Sequence, residues 1–348
     1  MRLLYLNSEN LYTQDTHLIQ GFRELGHEVI EIAEKKESFS YSRLISRLRS
    51  EWRQGDVVIV GYPSPLLAIR AKLSTRLPII FNAVSSQWEA NVVSRGEIGF
   101  LGWKALKSYA IDFISFHLSS RILLESNAQI EYASRLFLVP KSKCVLSYSG
   151  IDERDFFYDA SVQKRPDFTV LFRGRFLPES GILTVIEAAK RLEDSEIRFL
   201  VIGHGFMYRK VNALLVELAP RNLEHIHDRL PAHELRRRML ECHISLGQLA
   251  RHPRLDRTLP CKLFESIALK LPYLTGRNKA IFEVLEENVT CAAVEPASAD
   301  ELVAKIIALK ENPDTCERLA AAGYDLYKSR LTSKKLAEGV FTAITKTA

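Results

Sequence analysis

Cysteine is scarce in this chain and scattered. The five, Cys144, Cys242, Cys261, Cys291 and Cys316, are odd in number and never form a C-x-x-C pair. That spacing excludes a disulfide framework and a zinc knuckle, and it points to a reducing compartment. Long hydrophobic runs are missing too. The nearest approach to one, Phe100 to Leu118, is broken by Lys104, Lys107, Asp112 and His117, so no spanning helix is expected. No basic stub with an apolar stretch precedes the first apolar run, Arg2 to Leu6, so no secretion signal is expected. The expected location is cytoplasmic, soluble or peripheral on the inner face of the membrane. His17, His27, His225 and His227 show no ligand-like spacing to acids or cysteines, and no metal site is expected. Internal repeats and low-complexity tracts are absent as well.

What is present is an ordinary globular composition, 47% hydrophobic and 26% charged over 348 residues. That length exceeds what one core organises and implies two domains. The net charge of +6 suits an anionic partner: nucleic acid, a phosphorylated substrate or an anionic membrane surface. Nucleic acid fits worst, because the basic residues are not interleaved with aromatics along one stretch.

Short runs rich in Val, Ile and Leu alternate with segments of helical period. They are Leu3–Leu6, Val57–Val60, Ile79–Phe81, Ile122–Leu124 and Val145–Ser147, then Thr169–Phe172, Arg198–Ile202, Leu223–Ile226, Ile244–Leu246, Tyr273–Thr275 and Cys291–Val294. Strands apolar on both faces and separated by helices imply parallel sheets covered on each side. The expected fold is therefore α/β, with two Rossmann-like doubly wound domains. The polar stretch Asp159 to Asp167 is the candidate hinge, giving domains at 1–160 and 161–330. Residues 331–348 read as a terminal helix that packs back toward the first domain.

Around Tyr41, Leu44, Ile45, Leu48 and Trp52, apolar residues recur at helical spacing, with Arg43, Arg47, Arg49 and Arg53 on the other faces. Two readings fit: a domain-surface helix whose stripe meets the sheet, or a basic helix facing a membrane. The segment Phe100, Leu101, Trp103, Leu106, with Lys104 and Lys107, offers a second interfacial surface.

The chemistry concentrates in the second half. The run Thr169 to Arg175 ends in Gly174 and feeds the helix Ile182 to Arg191, an arrangement that brings backbone N–H groups to a phosphate, with Arg175 as a fixed cation. The next strand ends in Gly203-His204-Gly205. Either glycine loop alone is weak, but both lie at the carboxyl edge of one sheet, where open α/β folds bind ligands. In Leu259 to Gly276, Lys262 and Glu265 share one face of a helix that begins near Pro260. They could be a plain i,i+3 surface ion pair, or a cation for phosphate beside a carboxylate for ribose hydroxyls.

Residues 169–328 resemble the donor-binding domain of family-4-type (group 1) retaining glycosyltransferases, whose architecture is GT-B. The resemblance rests on FRGR-x-x-P-x-x-GI, IGHG, LPCKLFESIALKLPYLTG and the helix opening at Ala299, with looser matches at Leu25–Val29 and Ser149–Phe157. The form is the P-x-K-x-x-E branch. The resemblance implies two domains facing across a cleft, a nucleoside-diphosphate sugar as donor and no cofactor. Arg175 would face the diphosphate and Glu265 the ribose. Gly203 and Gly205 would allow close approach of the nucleotide, with Gly174, Arg257, Pro260 and Lys262 at the same site. Two departures stand out. Ser180 occupies the place of a usual loop lysine, and Arg257 that of a usual acidic residue. Lys262, helped by Arg257 or Arg173, is expected to restore the missing charge. No Asp-x-Asp triplet occurs to hold a metal–diphosphate pair, so leaving-group charge falls to Arg175, Lys262 and helix N-termini.

On the acceptor side, Asn82, Ser86 and Glu89 follow the strand Ile79–Phe81 and are the polar groups expected near the acceptor hydroxyl, with Glu89 as the catalytic candidate. A plain polar loop is the alternative. The implied activity is transfer of a sugar to a glycan or lipid-linked acceptor in cell-surface polysaccharide or glycolipid synthesis. The rival is a catalytically silent paralogue that binds a glycan or a partner subunit, motivated by Ser180 and Arg257.

Overall fold

The structure, a computed structural model, describes residues 1–7, 12–34, 40–96, 98–100 and 102–345. Leu101 of the apolar segment and the last three residues of the terminal helix segment lie outside the described residues. The chain divides into two units, 1–152 with 330–348, and 153–329.

The first unit holds β1 (Arg2–Asn7), α1 (Thr13–Glu24), β2 (Glu28–Ala33), α2 (Tyr41–Glu51), β3 (Val57–Val60), α3 (Pro65–Lys72), β4 (Ile79–Val84), α4 (Trp103–Leu118), β5 (Arg121–Leu124), α5 (Asn127–Phe137) and β6 (Cys144–Leu146). All its pairings are parallel, in the order β2-β1-β3-β4-β5-β6. Alternate residues feed two cores. Leu4, Leu6, Val58 and Val60 pack with Leu44 and Leu48 of α2 and Phe116 of α4. Leu3, Tyr5, Val57 and Ile59 pack on the other face with Leu18 and Phe22 of α1.

The second unit holds β7 (Phe168–Arg173), α6 (Ile182–Arg191), β8 (Ile197–Ile202), α7 (Tyr208–Leu218), β9 (Leu223–Ile226), α8 (Ala232–Leu240), β10 (Ile244–Leu246), α9 (Cys261–Ala268), β11 (Tyr273–Gly276), β12 (Ala292–Val294), α10 (Ala299–Glu311) and α11 (Pro313–Leu326). Its strands are also all parallel, ordered β12-β11-β10-β7-β8-β9. These are the two Rossmann-like doubly wound units of the GT-B architecture. The final helix, α12 (Ser333–Thr345), belongs to the first unit. There it meets α1 so closely that a Cβ on Gly21 would lie 2.0 Å from the Ser333 carbonyl oxygen.

The expected hinge is displaced. The stretch Asp159 to Asp167 lacks apolar period yet is fastened to the second unit. Lys164 Nζ donates to the carbonyls of Leu240 and Cys242 at 2.9 and 2.5 Å, and Arg165 pairs with Glu224 at 2.8 Å. The division falls earlier, between Asp152 and Glu153. The α2 stripe is a core contact: Leu44 and Leu48 are fully buried. Arg43 pairs with Glu34 at 3.1 Å, and Arg47 donates to the Ala33 carbonyl at 2.7 Å. No described helix is long and apolar enough to cross a membrane.

Candidate active site

In the second sheet the strand order reverses at β7 and β10, so the loops leaving their carboxyl ends diverge and open a crevice between them. Three side chains converge there. Arg173 ends β7, and its Nη1 lies 2.8 Å from Glu265 Oε2 on α9. Lys262 opens the same helix. Its Nζ reaches the carbonyl of Gly247, just past β10, at 3.3 Å and sits 3.9 Å from the centre of the Phe172 ring. Proline at position 260 caps the helix without needing an N–H partner of its own, so α9 starts where the sequence places it.

The electrostatics are costly. Lys262 and Glu265 are only 6% and 2% exposed. Burial, helped by the neighbouring Arg173 guanidinium, lowers the Lys262 amine to about 7. The amine also stands at a helix N-terminus, where a cation is disfavoured. Burial pushes the Glu265 carboxyl up, against the pull of Arg173 and Lys262. Lys262 and Glu265 do not form the surface ion pair that spacing alone allows; the carboxylate turns to Arg173. Even that approach is off the hydrogen-bonding direction, and Glu265 Oε2 has no hydrogen-bond donor among the described residues. Buried charges so incompletely satisfied add little stability, which makes this cluster the candidate functional site.

Around this trio the glycines hold the loops. Gly174 stands against Lys262, where an added Cβ would lie 3.2 Å from Cε. Gly203 has φ +151°, and a Cβ there would lie 1.9 Å from the Gly174 carbonyl oxygen; on Gly205 it would meet the Phe176 backbone at 2.8 Å. The space these two glycines leave is therefore filled by the neighbouring loop, and Phe176 N–H donates to the His204 carbonyl at 2.9 Å. Close packing of two loops, more than approach of a ligand, requires Gly203 and Gly205. Arg175 follows Gly174 at the same edge, exposed and with no acidic partner among the described residues.

Residues 154–326 match the family model of glycosyl transferases group 1. That match spans nearly all of the second unit. Solved structures similar to the whole chain include Anabaena HepE in complex with UDP (11% identity, 99% of this chain and 100% of that chain, TM-score 0.73). A glycosyltransferase from Rickettsia africae (14%, 100% and 99%, 0.71) and sucrose-phosphate synthase from Thermosynechococcus elongatus (11%, 100% and 99%, 0.75) are similar too. At such identities the likeness shows the fold alone. No curated protein matches the sequence significantly.

In the second unit the place where the resemblance expects a loop lysine is closed. Ser180 is 1% exposed, and its carbonyl accepts from Leu249 N–H. Arg257 lies half-buried on the turn that leads into α9. The cation at Glu265 is Arg173, which the sequence offered only as one of two helpers. Gly247 was missed, although it follows a strand at the same edge as the other site glycines. Among the described residues no group of three His, Cys, Asp or Glu could hold a metal ion.

The acceptor candidates of the first unit separate. Asn82 is buried, and its Nδ2 donates to Asp15 Oδ1 at 2.9 Å and to the Gln14 carbonyl at 2.8 Å. Glu89 is fully buried, with its carboxylate accepting from Gln129 Nε2 at 2.7 Å. That partner ties it to α5, so the expectation of Glu89 as a catalytic group exposed to an acceptor is corrected. Ser86 alone of the three lines the cavity beside β4.

Proposed function

We propose that the protein is a retaining glycosyltransferase that moves a sugar from a nucleoside-diphosphate sugar to a glycan or lipid-linked acceptor in cell-surface polysaccharide or glycolipid synthesis. The observation that carries this reading is the buried Arg173–Glu265–Lys262 cluster at the reversal point of the domain that matches the family model. HepE, of similar fold, is described in complex with UDP-glucose. Glu265 receives ribose hydroxyls on its unsatisfied oxygen. Lys262 and Arg175 take the diphosphate, whose arrival supplies the counter-charge that the amine lacks. In this division Lys262 and Arg173 stand in for the lysine replaced by Ser180, and stabilisation of the leaving group needs no metal ion or other cofactor.

The first unit meets an anionic membrane in this reading through α4. Phe100, Trp103 and Leu106 are 70%, 76% and 57% exposed beside exposed Lys104 and Lys107, the pairing of apolar and basic groups that seats a helix at a lipid interface. Arg43 and Arg47 of α2, tied to Glu34 and the Ala33 carbonyl, contribute less.

The test is release of nucleoside diphosphate from UDP-, GDP- and ADP-sugars with and without a lipid-linked acceptor, in wild type and Arg175→Ala, before and after chelation. Acceptor-dependent release that survives chelation and falls about 100-fold in the variant supports the proposal. Binding without turnover by any donor would instead support a silent paralogue, the reading that Ser180 favours.

A further inference from the structure

We propose that the cavity of the first unit recognises an anionic group on the acceptor through Arg95, so that the acceptor is a hydroxyl-bearing compound carrying a phosphate ester or a carboxylate. The inference rests on the transferase reading and narrows its acceptor class. The cavity, about 90 Å³, lies at the carboxyl ends of β3 and β4, where Tyr62 and Pro63 follow one strand and Ser85 to Gln87 the other. That edge is where open α/β sheets bind ligands. That space admits an oxyanion, and the remainder of such a ligand would leave beside exposed Gln87.

Arg95 lines this cavity half-buried, and its one hydrogen bond among the described residues is a donation from Nη1 to Asn91 Oδ1 at 2.9 Å. A guanidinium carries five donors in a fork that matches carboxylate and phosphate oxygens. Other arginines of this unit, Arg2, Arg23 and Arg43, each have a glutamate within 3.1 Å. Arg95 has no acidic partner among the described residues. Ser86 Oγ accepts from Glu89 N–H at 3.0 Å, which leaves its own hydrogen for a ligand oxygen. The one carboxyl among the described lining residues, Asp112, is pushed up to about 7 by burial and accepts from Trp88 N–H at 2.7 Å, so it opposes an incoming anion only weakly. Phe81 and Ala83 add buried apolar lining, and a low local dielectric strengthens a charged contact.

The experiment titrates the full chain with glucose 6-phosphate, glucuronate and glucose, in wild type, Arg95→Gln and Arg95→Lys, with UDP as a control on the second unit. The expected result is binding of one or both anionic sugars and no binding of glucose. Arg95→Gln should weaken that binding about 10- to 100-fold, Arg95→Lys should weaken it less, and UDP affinity should stay unchanged. The two anionic arms separate phosphate from carboxylate. Equal binding of glucose, an unchanged Arg95→Gln, or UDP binding with neither anion bound overturns the proposal. Failure of UDP alone, with Arg95-dependent anion binding kept, upholds the site and removes the transferase reading.

Discussion

Replacing Lys262 by methionine removes an ammonium and keeps a flexible chain of similar length. The unfolded chain holds that proton up to its ordinary 10.5, the folded chain only up to about 7. Between those values the unfolded state binds more protons, so this group makes stability rise with pH from about 7 toward 10.5, and its cost is full below 7. The gap of roughly 3.5 pH units, at ~1.4 kcal/mol each, sets a cost on the order of 5 kcal/mol. Part of that is offset, because the amine is also a counter-charge for buried Glu265. A net gain of about 2 kcal/mol for Lys262→Met at pH 6 to 7 follows, within the range seen when buried ions give way to apolar side chains. Urea denaturation of wild type and variant at pH 6, 7, 8 and 9, read on the transition of the second unit, checks it. The variant should be more stable at pH 6 with an advantage that shrinks toward pH 9, and it should lose nucleotide affinity. A variant less stable at every pH would refute the reasoning, because the amine would then be satisfied by the fold and not be waiting for an anion.

Two other outcomes are open to measurement. Gly203→Ala forces a Cβ to within 1.9 Å of the Gly174 carbonyl oxygen at a φ of +151° and should cost about 3 kcal/mol or more; an unchanged melting temperature would show that the two loops are not packed as described. Trp103→Ala combined with Lys104→Glu and Lys107→Glu should abolish co-sedimentation with anionic vesicles, whereas Arg43→Glu should reduce it little; the reverse order would move the lipid surface to α2.

Much of the fold was legible because its strands are continuous apolar runs. Val57–Val60, Leu223–Ile226 and Ile244–Leu246 become β3, β9 and β10 with the expected bounds. The edge strand β2, EVIEIA, was not read as a strand, since its glutamates interrupt the apolar run where one side of the strand has no neighbour. The displaced division between units was hidden for another reason. Lys164 and Arg165 look like linker residues in sequence, and only the fold brings the Leu240 and Cys242 carbonyls to Lys164 and Glu224 to Arg165.

At the candidate site, helical spacing placed Lys262 and Glu265 on one helix face and the resemblance suggested their roles, but their partner was not legible. Arg173 lies on another strand, and its pairing with Glu265 depends on β7 and β10 being neighbours. Arg95 and Asp112 of the first unit are far apart in sequence, the latter well inside α4, without any motif to join them. Glu89 misled for the opposite reason: its place after a strand suggested a ligand, and only its burial against Gln129 shows a structural role.

The most direct test of the central claim is calorimetric titration of UDP, GDP and ADP into wild type and Glu265→Gln. The account requires one of the three to bind wild type and to lose about 10- to 100-fold in the variant, which keeps the shape of the side chain and loses its charge-assisted contact to ribose. Equal affinity in both proteins, or no binding of any nucleotide to wild type, would contradict it.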